Sequence, residues 1–374
     1  GNGYSIRALA NIALTRFSAF LLVFNAIFMA SAFFSWHPVK SLFFCCDVFL
    51  LSLWFSLFYI EPIDVNRYLR LVAAVISLSS LVVLVFFSLR GGEGPAAQIF
   101  KNPIMQGIAS ALAVLVYLQA LLQKYRHADA ALLLLNLLSV VVSASKAAFL
   151  GLALFAAAMI MAKRRKWITW VAVLLLLLLL VPNPLRKMVH YSLTRDPYVF
   201  SRIDIWRMSA RMFRHHFWTG VGPDLFMETA KRFNFPQDRG PARFNKLPES
   251  PHSDYWKILC ENGLPGLAFI LLFLLFAIRR ILSPPRFDLP KLLLAFLLFQ
   301  MFFVNFIFSS FFLVLFLFLL YSFFHQGTEF VSLTPALRVF VAALLAFIFL
   351  IVYLSPFVSD HLLKKSRLEK NVIR

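Results

Sequence analysis

The sequence predicts an all-α polytopic membrane protein, a bundle of about 11–12 transmembrane helices with one long outer segment carrying short helices. Three observations predict it. Hydrophobic residues fill 61% of the 374 positions, charged residues only 14%, and mean hydropathy is +0.79. Soluble domains are roughly 45–50% apolar, and disorder needs low hydrophobicity, so both classes are excluded. Apolar runs of membrane-crossing length recur along the chain, continuous rather than alternating, which excludes an outer-membrane barrel. A single polar stretch of roughly seventy residues divides the runs into two groups, and a connector of that length is expected to be functional.

The predicted spans are residues 17–34, 42–60, 71–89, 104–122, 130–142, 147–161 and 167–181, then 264–278, 292–306, 307–324 and 340–354. Those at 130–142, 147–161 and 264–278 are short for a bilayer and are expected to be tilted, buried or longer than drawn. Asn305 and Ser309-Ser310 favour a tight hairpin over one long helix across 292–324. The domain organisation follows: residues 1–181 as N-terminal transmembrane helices, 182–263 as an outer segment with interfacial helices and the chemical motif, and 264–374 as C-terminal transmembrane helices with a basic tail.

Charge orients the bundle. The chain has 37 Lys+Arg against 17 Asp+Glu, net +20. With the N-terminus inside, one set of short loops holds Arg67, Arg70, Lys124, Arg126, the run 163–166, Arg279, Arg280, Arg286 and Lys291. The other set holds Lys40, Arg90, Lys101 and Lys146. Lys and Arg collect on the cytoplasmic side, which puts the long polar segment outside. The basic tail then also falls outside, against the rule. So little soluble chain remains that the basic excess points to anionic lipid head groups and not to nucleic acid. Cys45, Cys46 and Cys260 suggest neither a disulfide framework nor a zinc site.

The outer segment with its flank carries eight of the 17 acids and four of the eight His. In residues 201–214, Ile205, Met208 and Met212 recur at helical spacing, and Arg207, Arg211 and Arg214 stack along another face. That pattern suits a membrane interface and its phosphates, or a plainly solvated face. It is followed by Gly220-Val221-Gly222-Pro223, a turn able to bare backbone N–H groups, or an ordinary helix stop. A second helix opens near Ser250-Pro251-His252-Ser253, with Ser250 or Ser253 as N-cap. Tyr255, Trp256 and Leu259 follow at three-and-four spacing, and Asn262-Gly263 breaks the helix before the next span. His252 at a helix start is kept neutral, able to accept a proton. There is no acidic Asp-x-Asp pair in this segment for a metal.

Arg202-Ile-Asp-Ile-Trp206 followed by Gly220-Val-Gly-Pro223 resembles elements of the bacterial O-antigen ligase and polymerase superfamily. His252-Ser-Asp-Tyr-Trp-Lys-Ile-Leu-Cys-Glu-Asn-Gly-Leu-Pro-Gly266 is similar to that superfamily's His-Asn/Ser-x-x-Leu-x-x-x-x-Glu-x-Gly-x-x-Gly signature, with Trp256 in place of a frequent Leu. Ser145-Lys146 resembles its Ser-Arg element, with Lys for Arg, a change that weakens bidentate phosphate binding. The resemblance spans roughly residues 140–325.

The resemblance implies an inverting glycosyltransferase of the bacterial inner membrane, with its active site facing the periplasm, and no cofactor or metal. Its donor would be an undecaprenyl-diphosphate-linked glycan. His252 is the implied catalytic base. Arg202 and Lys146 are the implied diphosphate ligands, with Arg207 and Arg211 as second choices. Trp206, Gly220, Gly222, Tyr255, Glu261 and Gly263 are implied supports. Within the superfamily, ligation onto lipid A-core is favoured, because the outer segment is single and basic and suits a phosphate-rich lipid acceptor. An O-antigen polymerase joining carrier-linked repeats and a protein O-oligosaccharyltransferase are the alternatives. Outside the class stands a flippase or transporter, which would show inverted repeats and mid-membrane polar residues. Asp47 is the one acid well inside a predicted span.

Overall fold

The computed structural model describes residues 16–35, 37–42, 44–46, 48–49, 64–89, 102–163, 197–233, 248, 250–283, 288–305 and 310–324. The regular elements among them are all helical. They are α1 Arg16–Phe33, α2 Val65–Leu89, α3 Pro103–Gln123, α4 His127–Val142, α5 Lys146–Lys163, α6 Pro197–His215, α7 Phe226–Ala230 with a 3-10 turn Lys231–Phe233, α8 Asp254–Leu282, α9 Leu289–Gln300 and α10 Ser310–Phe324. Asp47, most of the span expected at 42–60, those at 167–181 and 340–354, and the basic tail lie outside the described residues.

Three described helices, α2, α3 and α8, are long and apolar enough to cross a membrane, and five shorter apolar helices accompany them. The protein is thus a helical polytopic membrane protein in the described residues. The span expected from residue 264 is the second part of a longer helix. α8 starts at Asp254, so its first two turns are the motif and the rest is the apolar run. The expected break before α10 is present, with α9 ending at Gln300.

α3 is the hub. Asn102 caps it by accepting the Ile104 N–H at 2.9 Å, and Pro103 occupies the first turn. Gln106 to Tyr117 are buried without interruption. Small residues let neighbouring backbones approach, as membrane helix packing favours. A methyl group on Gly107 would meet Ser143 Oγ at 2.5 Å and Ser145 Cβ at 2.7 Å. That seats the α4–α5 hairpin directly against the start of α3.

A buried polar ladder ties α2, α3 and α4. Ser80 Oγ lies 3.1 Å from Ser110 Oγ and donates to Asn136 Oδ1 at 2.9 Å. Asn136 Nδ2 donates to Ser77 Oγ at 2.8 Å, and Ser110 and Ser139 hydroxyls meet at 2.9 Å. Gln106 accepts from Ser79 and donates to Ser110 and Ser139. In hydrocarbon a polar group must find its partner within the protein, and these groups satisfy one another.

The helix ends sort by charge. Arg67, Arg70, Lys124, Arg126, Lys163, Arg279, Arg280 and Lys291 fall at one end of the bundle. At the opposite end lie the start of α3, the α4–α5 turn, the start of α8 and the end of α9. Gln300 Nε2 donates to Ala147 O at 3.0 Å, and Asp254 N donates to Met301 O at 2.9 Å.

Candidate active site

Two broken backbones meet at this end of the bundle. The first is α8. Gly263 adopts φ 60°, ψ −144° inside it, and Pro265 follows without an N–H. Helical geometry would send the 264 and 265 amides to the Cys260 and Glu261 carbonyls. Leu264 N donates instead to Phe217 O at 2.6 Å, so both carbonyls need other donors.

The second is the glycine turn, which supplies them. Val221 N donates to Cys260 O at 2.9 Å and Gly222 N to Glu261 O at 3.0 Å. Gly220 and Gly222 have φ +73° and +105°, a region that L side chains rarely adopt. A Cβ on Gly220 would fall on the Glu261 carbonyl, and one on Gly263 would stand 2.5 Å from Gly220 N. The glycine turn and the Asn262-Gly263 break are therefore two halves of one joint. Here the turn does more than stop a helix. Ser31 of α1 seals it: its Oγ lies 2.7 Å from Thr219 O and 2.8 Å from Glu261 O, one hydroxyl shared between two acceptors. Ser41 Oγ donates to Pro223 O at 2.8 Å.

α6 covers this joint. Ile205, Met208 and Met212 are buried and pack with Val221, Phe226, Ala230 and Cys260 in a small core of their own. That is the apolar stripe the sequence pattern predicts. Arg207, Arg211 and Arg214 occupy the exposed face, where Arg207 pairs with Asp204 at 3.3 Å. They lie away from the face that meets His252.

The face that meets His252 carries Arg202 and Trp206, one turn apart. Trp206 Nε1 donates to Pro251 O at 3.0 Å. On the other side of His252, Ser253 Oγ and Asp254 N both donate to Met301 O, at 3.1 and 2.9 Å. Ser253 is thus the N-cap of α8, yet its hydroxyl serves α9 rather than the helix start. Held from both sides, His252 sits at φ +51°. A non-glycine residue rarely adopts this left-handed conformation, and it persists where its surroundings over-determine it. The ring keeps an exposed edge. Its pKa is lowered from the ordinary imidazole value, first by desolvation among the surrounding groups and then by the positive charge of Arg202.

Lys146 opens α5 at the same end and is exposed. It is brought toward His252 through α9: Gln300 holds Ala147 O, and the next residue, Met301, holds Ser253 and Asp254. Tyr255 is buried, donates its hydroxyl to Leu298 O at 3.0 Å and packs on Phe302. Glu261 is 1% exposed behind the glycine turn. Hence Arg202, Trp206, Lys146 and His252 gather at one end, and Gly220, Gly222, Glu261 and Gly263 form the joint beneath them. Sequence reasoning missed Ser31, Met301 and the ion pairs of Lys257. Ser31 stood out only as a hydroxyl in an apolar run, and a carbonyl acceptor such as Met301 O carries no residue-type signal.

The described residues define a polytopic helical membrane protein with His252, Arg202 and Lys146 at one end of the bundle. Residues 131–271 match the family model described as O-antigen ligase, and the match supports the O-antigen ligase superfamily. The match runs from α4 through the glycine turn and into α8, and supports a function of the O-antigen ligase or polymerase type. No curated protein and no solved structure matches the chain.

Proposed function

We propose that the protein is a glycosyltransferase that moves a glycan from an undecaprenyl-diphosphate carrier onto lipid A-core at the periplasmic face of the bacterial inner membrane. The observation that carries this is the joint gathering of His252, Arg202 and Lys146 at the end of the bundle opposite its basic loops. Arg202 and Lys146 hold the donor diphosphate, whose charge needs cations at a poorly hydrated surface. His252, neutral through desolvation and through Arg202, takes the proton from the acceptor hydroxyl. The acceptor oxygen attacks the anomeric carbon from the face opposite the leaving group. The bond from that carbon to the phosphate oxygen breaks, and undecaprenyl diphosphate departs with the bond's electron pair. Charge stabilisation by the two cations assists that departure. Residues 182–263 act as the catalytic segment between the two groups of membrane helices.

The buried ladder of α2, α3 and α4 favours this over transport. Its polar groups are spent on one another and tie helices together, as interhelical hydrogen bonds do. The test is reconstitution of purified protein with a lipid-linked glycan and, separately, lipid A-core, carrier-linked repeat or peptide as acceptor. Transfer to lipid A-core is expected. Transfer only to carrier-linked repeat would make the protein a polymerase, and transfer only to peptide an oligosaccharyltransferase. Movement of the lipid-linked glycan across vesicles without transfer would replace the class altogether.

A further inference from the structure

A chain of alternating charges runs behind the glycine turn. Glu228 pairs with Lys40 at 2.6 Å, Lys40 with Asp224 at 3.7 Å, Asp224 with Lys257 at 3.7 Å, and Lys257 with Glu261 at 3.9 Å. These residues come from the stretch after α1, the glycine turn, α7 and the motif helix α8. The outer members are open to solvent, with side-chain exposures of 41–46%, where single pairs contribute little. The inner members are not: Lys257 is 13% exposed and Glu261 is 1%. The Lys257 ammonium also stands 5.3 Å over the Phe44 ring. Asp224 itself has φ +59°, an uphill backbone state for a non-glycine residue, at the point where both cations reach it.

We propose that Lys257 is a positioning residue for the transfer reaction, a role that rests on the function proposed above. Its ammonium ties the carboxylate of Asp224, on the turn, to that of Glu261, on the motif helix. It thereby sets the register in which the Val221 and Gly222 amides meet the Cys260 and Glu261 carbonyls. Those two hydrogen bonds join backbone groups alone, at the two carbonyls that the helix break frees, and Lys257 adds a side-chain tie between the same two segments. A buried ion pair is a weak stabiliser, and its proposed use here is to hold that one pairing against slippage. Lys257 lies just over one helical turn after the N-cap Ser253, so the register it sets also fixes where α8 begins and where His252 is held.

The test uses the full chain in nanodiscs and compares wild type with Lys257→Met, Lys257→Arg and Asp224→Asn. One readout is amide hydrogen exchange over residues 219–226, with α3 as internal reference; the other is transfer kinetics at varied donor. Lys257→Met is expected to speed exchange over 219–226 about tenfold while α3 stays unchanged. It lowers kcat while the donor KM stays within about twofold. Lys257→Arg restores both, because the charge is kept. Asp224→Asn, at a half-exposed position, moves both readouts the same way and carries the test if Lys257→Met does not fold. Unchanged exchange over 219–226 in the variant that folds overturns the proposal. So does a change in donor KM alone, which would make Lys257 a donor ligand. If the wild type transfers no glycan to any acceptor, the proposed function fails, whereas the exchange readout still judges the tie.

Discussion

Replacing Gly220 with Ala tests the joint at its tightest point. At φ +73° an alanine is disfavoured by about 1 kcal/mol relative to glycine. Its Cβ also falls on backbone atoms of Glu261 and Asn262, which have no flexible end to swing aside. The turn must therefore withdraw, and withdrawal forfeits the Val221–Cys260 and Gly222–Glu261 hydrogen bonds. At about 1 kcal/mol each, with a further penalty where a buried carbonyl loses its donor, the sum is about 3–4 kcal/mol. Each 1.4 kcal/mol is a factor of ten, so the docked turn falls by about 100- to 1,000-fold relative to the withdrawn one. The assay is transfer at saturating donor, with hydrogen exchange at residues 219–226 as the structural readout. Thr219→Ala, one residue away and free of this clash, should stay within about threefold of wild type. Wild-type transfer and wild-type exchange in Gly220→Ala would refute the joint, because no docked turn could accept that methyl group.

Further outcomes are expected. His252→Ala should lower turnover by about 10²–10⁴-fold and leave donor affinity near wild type, as loss of a general base does. The base works as neutral imidazole and its pKa is lowered, so turnover should hold as pH falls through about 6.5 and decline only below it. Arg202→Gln removes a cation that depresses that pKa, so the acid limb should move upward, alongside weaker donor binding in a direct binding assay. Lys146→Ala should weaken donor binding and Lys146→Arg should not, measured by the same assay. Asn136→Leu takes one partner each from Ser77 and Ser80 in the buried ladder and should destabilise by about 1–3 kcal/mol, read as earlier thermal unfolding with unchanged donor affinity.

Much of the architecture was legible because it depends on sums over many residues. Apolar run length located α1, α3, α4, α5 and α10 to within a few residues and the cores of α2, α8 and α9. The basic loops grouped the described helix ends as the fold does, since each term depends on composition and not on partners. The start of α8 was harder: a helix whose first turns are polar and whose later turns are apolar reads as a motif followed by a separate span. The arginine stripe of α6 shows the limit of periodicity. Spacing placed Arg207, Arg211 and Arg214 on one face; the family resemblance singled out Arg202 and Trp206, and packing puts those two on the face that meets His252.

By itself, then, the sequence determined the membrane class, the helix sequence, the apolar face of α6 and the residue types able to do phosphate and proton chemistry. These follow from hydropathy and period, which are local properties of the chain. Only the tertiary structure decided that the glycine turn and the Asn262-Gly263 break complete each other. It alone decided that Ser31 seals their meeting and that Met301 holds the residues after His252. Those relations are backbone hydrogen bonds and close approaches between segments tens to hundreds of positions apart. A carbonyl has no residue identity to be read, and its need for a donor appears only when the helix around it is broken.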